Sequence, residues 1–101
     1  MNYGLTIDEL SKINEVFSSF DEIVKVILYG SRAKGNFKPS SDIDVTLIGE
    51  KLNLKILNEV ACLLDDLMLP YTFDSSIFKD ISNPDLVEHI NRVGKVLYEK
   101  A

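Results

Sequence analysis

One cysteine, Cys62, is all that the 101 residues contain. A lone thiol cannot close an internal disulfide, which excludes the disulfide-stapled secreted class and fits a reducing cytosol. No apolar run approaches the ~20 residues that a membrane helix needs. The opening MNYGLTIDEL has no basic stretch followed by an apolar core, so no secretory leader is expected. Positive charge is scarce: 11 Lys and Arg stand against 16 Asp and Glu, a net charge of −5. That balance excludes a broad, sequence-independent nucleic-acid surface, which needs clustered basic residues. There is no internal repeat, low-complexity tract or linker. One domain over residues 1–101, in the cytoplasm, is the expectation.

What is present is the composition of a globular domain, 46% hydrophobic and 27% charged. Residues 6–20 carry Ile7, Leu10, Ile13, Val16, Phe17 and Phe20 at helical spacing, and Thr6 with Glu9 forms a capping-box pattern. IVKVILY, residues 23–29, is nearly continuously apolar and suits a central strand buried on both faces. DIDVTLI, 42–48, and YTFDSSIF, 71–78, read as further strands. Residues 54–67 read as a helix capped by Asn53, with Cys62 in its core face. Asn83 and Pro84 open a last helix to about Val93, which Gly94 can close, and KVLYE follows as a short extended tail. His89 on that helix is expected to be an ordinary surface residue. The order α-β-α-β-α-β-α, with the second α a turn or short helix, gives an α/β or α+β class: a small mixed sheet flanked by helices.

The stretch GSRAKGNFKPSSDIDVTLIG reverses the global charge, since Arg32, Lys34 and Lys38 occur between Gly30 and Ser41 with no acid among them. A glycine turn after a buried strand can bring backbone amides to an anion. Gly30 and Gly35 have the spacing of a P-loop, but Asn36 and Phe37 stand where that motif needs Lys and Ser or Thr. The P-loop is therefore rejected, as is the absent GxGxxG fingerprint.

Asp42 and Asp44 are two apart on a strand and so share a face. Paired carboxylates repel unless a cation lies between them, and hard oxygen ligands suit Mg²⁺ shared with phosphate oxygens. An EF-hand fails, because Leu47 occupies the position that needs Gly. Alternation on 71–78 puts Asp74 on the more polar side of its strand, so three carboxylates can converge if the strands share a sheet. The turn ends one strand and the aspartates begin the next. The two strands must run antiparallel for those ends to meet.

GSRAKG followed by SDIDV and a later strand Asp resembles the minimal nucleotidyltransferase (MNT) proteins of the DNA polymerase β-like superfamily, over about residues 5–99. The resemblance implies that Gly30 and Ser31 hold a nucleotide triphosphate. It further implies that Asp42, Asp44 and Asp74 bind two Mg²⁺ ions, with Asp74 also the general base. Arg32, Lys34 and Ser41 match basic and turn positions near the phosphates, and a strand-entry turn explains Ser41 equally well. Such proteins are often encoded beside a HEPN-domain toxin, act as its antitoxin, and in some cases move AMP from ATP to a tyrosine of the toxin. Transfer to a small molecule such as an aminoglycoside, and neutralisation of a partner by binding alone, are the alternatives.

Overall fold

The computed structural model describes residues 3–101; Met1 and Asn2, which begin the stretch read as lacking a leader, lie outside the described residues. The chain runs through α1 (Ile7–Ser18), β1 (Lys25–Tyr29), α2 (Ser31–Lys34), β2 (Ile43–Ile48), α3 (Leu54–Asp66), β3 (Phe73–Ile77), a 3₁₀ turn (Phe78–Asp80), α4 (Pro84–Val93) and β4 (Lys95–Glu99). The four strands form one mixed sheet in the order β3-β2-β1-β4. β1 pairs antiparallel with both β2 and β4, and β2 pairs parallel with β3. The antiparallel β1–β2 pair is the arrangement that the turn and the aspartates demanded. Among the described residues no helix is long and apolar enough to cross a membrane.

Local chemistry sets the helix starts. Thr6 Oγ1 accepts the Glu9 N–H at 3.0 Å while Glu9 Oε1 accepts the Thr6 N–H at 2.9 Å, completing the capping box. Asn53 Oδ1 accepts the Ile56 N–H at 3.0 Å, and Asn83 Oδ1 the Asp85 N–H at 2.9 Å behind Pro84. One sheet face forms the core. Val26, Leu28, Ile43, Val45 and Leu47 are fully buried there with Ile13 and Phe17 of α1 and Val60 and Leu64 of α3.

Some expectations are refined and others corrected. The tail KVLYE is β4, an edge strand whose Leu97 is buried, because β1 would otherwise leave one ladder of N–H and C=O groups unpaired. β1 is central and fully buried on its core face; on the other face Tyr29 is buried, Lys25 and Ile27 are half-covered, and Val24 before the strand is exposed. Cys62 is exposed rather than core. The buried stripe of α3 is Ile56, Val60 and Leu64, one turn apart, and Cys62 is two residues from each of the last two, on the opposite side. Gly94 closes α4 as expected, with extended backbone at φ −60° and ψ 144° rather than a left-handed cap. A Cβ there would strike the Ile90 carbonyl and Ile27, so close helix–strand packing selects the glycine. Ile7, counted in the apolar stripe of α1, is also exposed.

Candidate active site

The sheet face away from α1 and α3 carries polar side chains in rows fixed by the register. Tyr29 of β1 lies opposite Asp44 of β2, and Asp44 lies opposite Asp74 of β3. The next row on the same face is Ile27, Thr46 and Ser76. The Ser76 hydroxyl donates to Thr46 Oγ1 at 3.0 Å, which satisfies a threonine that is fully buried. Asp42 precedes β2 and is exposed, and Asp44 is half-buried.

The electrostatics of this row are those of crowded acids. The Asp44 carboxyl is raised to about 6, first by burial and then by the charges of Asp74 and Asp42. Burial also pushes the Tyr29 hydroxyl up, a hydrogen bond with Ser76 opposes this, and the charges of Asp74 and Asp44 reinforce it. Tyr29 thus remains a neutral donor beside the carboxylates. A cation would relieve the Asp44 environment directly, so the donor set fits a hard divalent ion. Among the described residues no three Asp, Glu, His or Cys side chains converge tightly enough to enclose an ion unaided. Of the three aspartates, Asp44 and Asp74 are opposed in the register, and Asp42 couples to Asp44 through its charge.

Gly30 joins the turn to the carboxylates. It adopts φ 76° and ψ −157°, a region open essentially to glycine, and a Cβ there would collide with Asp44 Oδ2. The turn therefore leaves no room for a side chain between its backbone and the Asp44 carboxylate. Ser31 then begins α2, where an N–H has no intrahelical acceptor. Of the two residues expected to hold the triphosphate, Gly30 turns its N–H to His89 Nε2 at 3.2 Å. His89, read as an ordinary surface residue, is half-buried and sets its ring edge-on to Tyr29, centroids 6.2 Å apart at 82°.

The basic residues divide. Lys34 remains exposed at the end of α2. Arg32 is 1% exposed, and the expectation that it contacts phosphate is corrected. Its guanidinium donates to the carbonyls of Tyr3 (2.9 Å), Pro39 (3.3 Å) and Ser41 (3.0 Å) and lies over the rings of Phe37 and Tyr71. It ties α2 to the loop that leads into Asp42, the work of a planar fork of donors. Ser41 also serves this loop: its Oγ accepts the Lys38 N–H at 2.8 Å. A concavity of about 700 Å³ opens at the other end of the sheet among Glu22, Val24, Ile48, Phe78 and Lys79, and none of the three aspartates lines it.

A strand followed by a Gly-Ser turn, an antiparallel Asp-x-Asp strand and a third Asp in register beside it adjoin on one side of the sheet, and the polymerase beta nucleotidyltransferase family model matches residues 11–101. The chain belongs to that nucleotidyltransferase family. The fold agrees. The nucleotidyltransferase domain is similar to a chain from the crystal structure of a toxin–antitoxin with AMP-PNP, at 20% identity and TM-score 0.74 over 90% of this chain and 73% of that one. It is also similar to a chain from the tri-AMPylated Shewanella oneidensis HEPN toxin in complex with MNT antitoxin, at 18% identity and TM-score 0.68 over 91% and 71%. A chain from the toxin–antitoxin MntA-HepT gives 18% identity and TM-score 0.69 over 94% and 74%. No curated protein matches the chain.

Tyr29 and His89 were missed in the sequence for different reasons. Tyr29 was legible: once β1 and β2 are antiparallel, the residue before Gly30 shares a row with one of the aspartates. His89 lies 59 residues from Gly30, and no local pattern links them.

Proposed function

We propose that this chain is a Mg²⁺-dependent nucleotidyltransferase that moves AMP from ATP to a hydroxyl, a tyrosine of a HEPN-domain partner, and so acts as an antitoxin. The observation that carries the proposal is the register: Asp44 faces Asp74 across parallel strands, with Gly30 packed against Asp44. Asp42 and Asp44 hold the ions, and Asp74 completes the ligand set. Mg²⁺, when bound, supplies neutralisation of charge on the phosphoryl oxygens. The Ser31 amide and hydroxyl, with Lys34 nearby, receive the triphosphate. Asp74, exposed on the edge strand β3, takes the proton of the acceptor hydroxyl. The acceptor oxygen bonds to the α-phosphorus, the bond to the β-phosphate oxygen breaks, and pyrophosphate leaves.

The choice of AMP, tyrosine and a helical toxin draws its support from the similar complexes, one with AMP-PNP and one with an AMPylated HEPN toxin. The experiment is to co-express the chain with the protein of the adjacent reading frame, add α-labelled ATP with Mg²⁺, and follow the label. Label on a partner tyrosine supports the proposal. Inhibition of the partner with no label supports neutralisation by binding, and label on an added aminoglycoside alone supports a small-molecule acceptor.

A further inference from the structure

Gly30 presents a problem that the aspartates do not solve. A glycine has little steric preference between backbone basins, so the peptide plane between Tyr29 and Gly30 is not fixed by its own residues. Its N–H is part-buried, and leaving it unpaired would cost the desolvation of a donor. His89 supplies both the acceptor and the orientation. Nε2 accepts at 3.2 Å, which requires that nitrogen to be unprotonated and places the proton of the neutral ring on Nδ1. The same ring lies edge-on to Tyr29, so one side chain grips two consecutive residues at the end of β1. Its mount is stiff. The next residue, Ile90, is 3% exposed, and α4 ends where Gly94 lies against Ile90 and Ile27.

We propose that His89 is a positioning residue: by accepting the Gly30 N–H it fixes the Tyr29–Gly30–Ser31 backbone against the Asp44 carboxylate, and so sets where the nucleotide's phosphates lie. This rests on the nucleotidyl-transfer reading above, and it adds α4 to the machinery of a site otherwise built from β1, α2, β2 and β3. Being preorganisation, it acts on the transition state more than on ground-state binding.

The test compares His89→Phe, which keeps an aromatic ring but offers no acceptor, with His89→Gln, whose amide oxygen can reach the place of Nε2. Two readouts are taken on the full chain. Hydrogen exchange of the Gly30 amide, followed by NMR, reports the contact without any activity. Transfer of label from α-labelled ATP to the co-expressed partner gives kcat and the KM for ATP. For His89→Phe the Gly30 amide exchanges at least about tenfold faster than in the wild type. In the same variant kcat falls about tenfold or more while KM changes less than about threefold. His89→Gln recovers most of both effects. Unchanged Gly30 exchange or wild-type kcat in His89→Phe overturns the proposal, as does a His89→Gln no better than His89→Phe, which would make the ring mere filling. A wild-type chain that transfers no label overturns the transferase reading instead. The exchange data then decide alone whether His89 holds the turn.

Discussion

Asp44 sits half-buried with Asp74 opposite it, and its carboxyl, at 3.8 in the unfolded chain, rises to about 6 in the fold. Between those values the folded chain binds more protons than the unfolded one, so stability falls as pH rises. The contribution is complete below the unfolded value and is lost as pH passes the folded one. With divalent cations chelated, urea unfolding should therefore show a midpoint that drops for the wild type relative to Asp44→Asn between about pH 4 and about pH 7. Parallel curves for the two proteins would remove Asp44 from this role. Gly30→Ala meets both a positive φ and the Asp44 carboxylate, so it should cost about 1–3 kcal/mol and abolish transfer; urea titration and the label assay check each part. Arg32→Leu strands three carbonyls and unstacks two rings. It should cost about 2–4 kcal/mol, measured in the same titration. Equal stability would return Arg32 to the surface.

Elements were legible where local chemistry decides them. The Thr6, Asn53 and Asn83 caps and the alternation of DIDVTLI are physical signals that act within a few residues, and the structure keeps them. What failed depends on partners distant in sequence. KVLYE is five residues of strand only because β1 needs a second neighbour. LKILNEVACLLDD has apolar residues on more than one side, so periodicity alone could not choose the buried stripe or place Cys62. Leu97→Ala tests whether β4 is part of the core: a loss of about 2–4 kcal/mol in urea titration is expected, and a loss near zero would make the strand a mere tail.

At the scale of the molecule, the fold divides labour between two faces of one sheet. Apolar residues of one parity pack on α1 and α3, and the other parity is left for Asp44, Thr46, Asp74 and Ser76. That division was readable, since a strand that alternates apolar and acidic residues must show its acids to one side. The turn-to-aspartate geometry was readable too, because only antiparallel pairing brings those ends together. The roles of Arg32 and His89 were not, since burial of one and the contact of the other emerge only when loop, helix and sheet close on each other. The account stands most directly on the opposed carboxylates. The measurement is transfer of label from α-labelled ATP to the co-expressed partner by Asp44→Ala, with circular dichroism showing the variant folded. The account predicts no transfer above background at any Mg²⁺ concentration. Wild-type transfer by the folded variant would contradict it.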